Sequence, residues 1–193
     1  MLRGVEGPVG PGERGDVAPT WRELLREDVR AHNGEVTSPG LHAVLVHRFG
    51  AARSSLPRPL RPAARVLHRL AHVAVRNLYG IELPETVDLG RRVRIAHQSG
   101  IVIHPRAVIG DDCVLRQNVT LGAGTGEGEL FARQAPRLGV GVSLGAGAVV
   151  VGGVRVGDGA RIGPNATVLT HVPAGATVLA PANRVMRRTD AGA

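Results

Sequence analysis

The sequence has little of what most globular cores are built from. Its only aromatic rings of the Phe, Trp and Tyr type are Trp21, Phe49, Tyr79 and Phe131, 2% of 193 residues, although ordinary cores draw much of their buried area from such rings. The hydrophobic 43% is therefore mostly Val, Leu, Ile and Ala, a composition suited to stacked aliphatic layers. Lysine is absent: all 24 basic residues are Arg, which against 16 acids gives a net charge of +8. This is read either as a coding bias toward Arg or as a surface for phosphate-bearing ligands, whose oxygens match the guanidinium fork. With almost no rings to stack on bases, nucleic acid is a poor candidate partner. Cys113 is the single cysteine, so no intrachain disulfide forms and a reducing compartment is the default. No apolar run reaches membrane-spanning length, and residues 1–19 lack a signal-peptide core. The expectation is a soluble, cytoplasmic protein.

Glycine and proline, 27 and 13 residues, are plentiful. They dominate residues 1–19, which are expected to be a disordered tail. Residues 20–80 are expected to form a helical region. Thr20 with Glu23 makes a capping box, and Trp21, Leu24, Leu25 and Val29 follow on one helical stripe until Asn33 and Gly34. A second helix is predicted from about Pro39 to Ala52, with Leu41, Leu45 and Phe49 on one face. A third follows Pro62, where Val66, Leu67, Leu70, Val73 and Leu78 recur at helical spacing until Gly80. No acid occurs between Glu35 and Glu82, while Arg48, Arg53, Arg58, Arg61, Arg65, Arg69 and Arg76 do. A solvated helix face accounts for this run, as does, less readily, an interface with acidic groups or membrane phosphates. His68 and His72, spaced like metal ligands but without a third, read as a helix surface.

From Ile81 a six-residue period replaces the helical one. Leu138, Leu144, Val150, Val156, Ile162 and Val168 keep this step, with Val142, Ala148, Val154, Ala160, Ala166 and Val172 at i+4. Ile103, Ile109, Leu115 and Leu121 repeat it, preceded by Ile81, Val87 and Val93. This is the signature of a parallel β-helix over residues 81–186, leaving 187–193 as a tail. The aliphatic residue fills the interior and the small i+4 residue admits the next layer. Cys113 occupies such a small position and is read as core.

Two interruptions break the period. The step from Val93 to Ile103 is ten residues and contains Ala96, His97, Gln98, Ser99 and Gly100; that from Leu121 to Leu138 is seventeen. Excursions from a rigid solenoid are where function concentrates. The glycine-rich residues 122–128 resemble a phosphate loop, but without the Lys-Ser/Thr ending or a following helix they do not predict a nucleotide site.

Several stretches together carry a family resemblance over roughly residues 20–188. They are Gly80-Ile81-Glu82-Leu83-Pro84, His97-Gln98-Ser99-Gly100-Ile101-Val102, Gln117-Asn118-Val119-Thr120-Leu121-Gly122 and Leu144-Gly145-Ala146-Gly147-Ala148. The chain resembles the hexapeptide-repeat acyltransferases of the serine O-acetyltransferase-like group. The resemblance implies a left-handed β-helix of triangular section, a homotrimer or dimer of trimers, and acetyl-CoA bound in clefts between subunits. It makes His97 the general base for an acceptor hydroxyl, which suits an imidazole titrating near working pH. Glu82, fifteen positions earlier, orients that imidazole. Gly122 and Ala123 supply oxyanion-stabilising amides, Gly145 and Ala146 line the CoA site, and Arg161 and Arg184 approach the CoA nucleotide. No metal is expected.

The chain departs from the family pattern at the acceptor. Serine-specific members carry Asp before the histidine, where this chain has Ala96, and an Arg-His pair before the loop proline, where it has Gln134 and Ala135. Each missing charge-assisted contact is worth roughly 1.5–3 kcal/mol. The leading expectation is a serine O-acetyltransferase-like enzyme; a saccharide or natural-product hydroxyl is the alternative acceptor. Two others are a β-helical metalloenzyme, for which the coils offer only His97, His104 and His171, and a non-catalytic assembly module. Arg-rich helices pairing with Glu23, Glu27 and Asp28 of a neighbouring copy are a candidate subunit contact, and His104 reads as structural.

Overall fold

The computed structural model describes residues 19–124 and 128–182. The tails expected at 1–19 and beyond 186 thus fall, but for Pro19, outside the described residues. Helix α1 (Trp21–Ala31) starts at the Thr20 capping box, in which Thr20 and Glu23 bond reciprocally. Helix α2 (Pro39–Ala52) opens on Pro39, whose missing N–H is no loss in a first turn. Helix α3 (Arg61–Ala74) runs on into a π-type segment, Val75–Tyr79. Gly80, left-handed at φ 65°, ends it.

The chain then winds into a left-handed parallel β-helix with three faces. Face one stacks Ile81–Glu82, Ile101–Ile103, Thr120–Gly122, Val149–Val151 and Thr167–Val168. Face two stacks Asp88–Leu89, Val108–Ile109, Arg137–Leu138 and Arg155–Val156. Face three stacks Arg94–Ile95, Val114–Leu115, Ser143–Leu144, Arg161–Ile162 and Thr177–Val178. The six-residue register is the core itself. Ile103, Leu121, Val150 and Val168 are aligned inward on face one, and the small positions Ala107, Cys113, Val119, Ala148, Ala160 and Ala166 are all buried.

A parallel stack leaves its first coil with backbone groups that no preceding coil can bond, and buried groups of this kind need partners. The helical region supplies them. Arg48 donates to the carbonyls of Leu89 at 2.9 Å and Gly90 at 2.6 Å. His47 Nε2 donates to Val87 O at 3.0 Å, and Ile95 N donates to His32 Nε2 at 3.2 Å. Arg48 is held by Asp28, with Nε 3.1 Å from Oδ2 and Nη2 3.3 Å from Oδ1, and Asp28 is fully buried.

This corrects three expectations. Arg48 is not part of a solvated face, and Arg53 pairs with Glu85. Asp28 and Glu27 bond within the chain, Glu27 to Arg91, rather than to a neighbouring copy. His68, read as helix surface, is buried, as are Ala64 and Val75, while the apolar stripe of α3 faces outward, with Val66, Leu67 and Leu70 exposed. Periodicity reveals a stripe without fixing which side meets the core, and here the inner side is the narrow one that fits against α2.

Asp28→Ala is expected to destabilise by about 3–5 kcal/mol, since it strands the buried Arg48 charge; urea unfolding at fixed protein concentration measures it. Acid should loosen the same junction. Burial pushes His47 down to about 4, and burial also lowers His32. Between pH 6.5 and 4 the unfolded chain then binds more protons than the fold, so stability falls as pH falls through that window. The His47 share is on the order of 3 kcal/mol. In His47→Gln, whose amide can still donate to Val87, the acid loss should shrink; an unchanged loss would exclude His47 as its source.

Candidate active site

The ten-residue step forms an excursion at the corner between faces three and one. Its ends are pinned: Ala96 N donates to Leu115 O at 2.9 Å, and Ser99 N donates to Tyr79 O at 2.9 Å. Ile101 N bonds Gly80 O at 3.0 Å, and Ser99 O accepts from Asn118 N at 2.9 Å. Ser99 is left-handed at φ 86°, and such backbone persists only where its surroundings over-determine it. Gly100 is left-handed at φ 65°, and a Cβ there would lie 2.2 Å from Asn118 Oδ1, so glycine spares the turn both strain and a shift of that side chain. His97 projects from this corner into solvent. The end of the helical region therefore anchors the excursion that carries it.

Glu82 lies on face one in register with Val102, its half-buried side chain outward between inward Ile81 and Leu83. The fold brings it to the face bordering the His97 corner, but no hydrogen bond or ion pair among the described residues joins the two. Ala96 is half-buried beside His97.

The other expected site residues divide between the two edges of face one. Gly145 and Ala146 occupy the same edge as His97, two coils on; Gly147 N bonds Gln117 O and Asn165 N bonds Ala146 O along it. A Cβ on Gly145 would lie 2.6 Å from Pro164 N, so coil stacking itself demands glycine there. Arg161 projects from the adjoining face three. Gly122 and Ala123 lie at the opposite edge, where the long loop departs. A three-residue strand separates the edges by roughly 10 Å. Arg184 lies outside the described residues.

The loop contains a short helix, α4 (Gly128–Arg133), so a helix does follow the glycine-rich stretch, contrary to expectation. At six residues, and without the Lys-Ser/Thr ending, it makes no phosphate loop. Phe131 of α4 packs on His104 with ring centroids 4.3 Å apart. His104 Nδ1 accepts from Arg106 N at 3.0 Å, leaving Nε2 buried without a partner among the described residues. Burial, aided by Arg106, lowers its pKa. Gln134 Oε1 is also buried and unpaired among the described residues, and Ala135 is buried. Sequence spacing did not single out this His104–Phe131 contact, since one partner lies in a regular coil and the other in the long loop. His171 accepts from Arg155 N at 3.0 Å on a distant coil.

The bacterial transferase hexapeptide (six repeats) family matches residues 136–170. A serine acetyltransferase of Helicobacter pylori is 38% identical over 167 residues, covering 85% of this chain and 92% of that protein. The chain belongs to the serine acetyltransferase family. Two solved members share its fold at 24% identity. Serine acetyltransferase isoform 3 of Entamoeba histolytica, complexed with cysteine, gives a TM-score of 0.71 over 88% of this chain and 61% of its own. The Brucella abortus serine acetyltransferase, complexed with coenzyme A, gives 0.70 over 88% and 68%. This chain thus spans nearly all of the Helicobacter member and less than two thirds of the Entamoeba one.

Within this family fold Cys113 is interior. Burial pushes its thiol up to about 11, and Sγ donates to Gly139 O at 3.1 Å. Native protein at pH 8 is expected to resist iodoacetamide at Cys113 and to react once unfolded in urea; modification of the folded protein would show that the coil opens there.

Proposed function

We propose that this chain transfers the acetyl group of acetyl-CoA to the hydroxyl of L-serine, with His97 as general base. What carries the reading is the solvent-facing His97 on a pinned excursion, in a chain 38% identical to a serine acetyltransferase along 92% of its length. A neutral ring nitrogen of His97 takes the hydroxyl proton as the oxygen attacks the thioester carbonyl. The tetrahedral intermediate collapses by breaking the C–S bond. The imidazolium returns its proton to the departing thiolate, leaving the acetyl ester and free CoA. Glu82 is the orienting carboxylate, fixing the imidazole tautomer and steadying its charged form. Amides at Gly122 and Ala123 stabilise the oxyanion. Gly145, Ala146, Arg161 and Arg184 receive CoA.

Division of these groups between opposite edges of face one favours a cleft between copies, where one chain's His97 edge meets its neighbour's Gly122 edge. The working unit is then a homotrimer or a dimer of trimers in the cytoplasm. No described helix is long and apolar enough to cross a membrane.

The uncharged Ala96, Gln134 and Ala135 favour a second reading. They offer an amino acid's ammonium and carboxylate no ionic partner, so a saccharide or natural-product hydroxyl is the alternative acceptor.

Release of free thiol from acetyl-CoA, measured with L-serine, homoserine and a sugar panel, tests both readings. His97→Ala should lower turnover about 10²–10⁴-fold. Turnover confined to a non-amino-acid hydroxyl would move the acceptor to the second reading, and no turnover or acetyl-CoA binding would reduce the chain to an assembly module.

A further inference from the structure

Away from the His97 corner, an open cavity of about 370 Å³ lies between the helices and the turn after Glu82. It is lined by Arg53, Arg65, His68, Arg69, His72 and Glu85, with Pro84 and Thr86. That volume is within the range of small-molecule sites. Three guanidinium groups and two imidazoles here face a single carboxylate.

The carboxylate is already engaged. Glu85 Oε2 accepts from Arg53 Nη1 and lies 2.8 Å from His68 Nδ1, and His68 is held in place by burial. The His72 ring stacks on His68 at 5.9 Å. Among the described residues, Arg65 and Arg69 form neither an ion pair nor a side-chain hydrogen bond. They sit at i,i+4 on α3, with Arg61 one turn earlier, a like-charge ladder that costs helix stability. A second cavity of about 350 Å³ adjoins, lined by Arg53, Ser54, Arg61 and Arg65. Both cavities thus share Arg53 and Arg65.

We propose that these joined cavities are a binding site for a small phosphorylated molecule with two phosphoryl groups. Arg65 and Arg69 hold one group and Arg61, Arg65 and Ser54 reach the other. Phosphate oxygens match the guanidinium fork, and a bound polyanion relieves the repulsion along α3. A solvated basic face explains the charge but not its convergence with two histidines around one cavity. The site is independent of the acetyl-transfer reading.

Inorganic pyrophosphate is the probe, titrated calorimetrically into the full chain at low salt, with inorganic phosphate and sulfate as single-group controls. Saturable pyrophosphate binding is expected, tighter than either control, and weakened about tenfold or more in the R65S/R69S double variant. Acetyl transfer in that variant should remain, which shows that it folds; R65K/R69K, keeping charge but losing the fork, should bind with intermediate affinity. Three results would overturn the proposal. They are no saturable binding, binding that survives R65S/R69S and is displaced by CoA, and a change of oligomer size in R65S/R69S without pyrophosphate binding. The last would identify an acidic protein surface as the occupant.

Discussion

Everything beyond the first coil rests on how that coil is closed. A stacked parallel coil satisfies its backbone groups through the coils on either side, and the first coil has a neighbour on one side only. Arg48 bonds the open carbonyls of Leu89 and Gly90, and Asp28 fixes Arg48 from below. His47 and His32 complete the closure at Val87 and Ile95. An ion pair buried this deeply is weak evidence of stability in itself. Its hydrogen bonds to main-chain groups are what make it useful, since they stand in for a missing strand and block edge-to-edge association.

The same closure bears on the site. The π-type segment that follows α3 ends at Tyr79 and Gly80, whose carbonyls receive Ser99 N and Ile101 N. His97 is therefore borne by the coil that the helices clamp most firmly. The proposed general base needs a defined position, and an exposed corner of a free solenoid end would not provide one. Helical region and His97 corner are mechanically one unit, though most of the first turn of the β-helix separates them in sequence.

Legibility followed the range of the interactions. The six-residue step exposed the interior of the coils, including the burial of Cys113, because each residue's neighbours in the stack repeat at a fixed offset. Capping at Thr20, the Pro39 start and the Gly80 stop were equally readable, being settled within one turn. Asp28 was not: its partner is 20 residues away and the carbonyls that justify the pair are 41 and 42 residues beyond Arg48. His68 looked like a surface residue because its acceptor, Glu85, belongs to a different element. The outward direction of the α3 stripe is unreadable for the same reason, as amphipathicity carries no sign.

A β-helix interior has no room for polar chemistry: each layer accepts an aliphatic side chain and a small one, and backbone bonding consumes the rest. Reactive groups must then leave the period, and this chain does so at two places on opposite edges of face one. The motifs marked both excursions, yet a motif cannot show that they face apart on a single chain. Among the described residues of the coils and their long loop, buried polar atoms without a partner are His104 Nε2 and Gln134 Oε1 at the Gly122 edge and Gln117 Oε1 at the His97 edge, and burying such atoms costs free energy unless something completes them. The two at the Gly122 edge are one donor and one acceptor, both screened from solvent on a single chain. Within the coils and their loop, the unpaired polar atoms thus gather at the two edges of face one and not in the aliphatic interior, where every layer is closed by its own side chains.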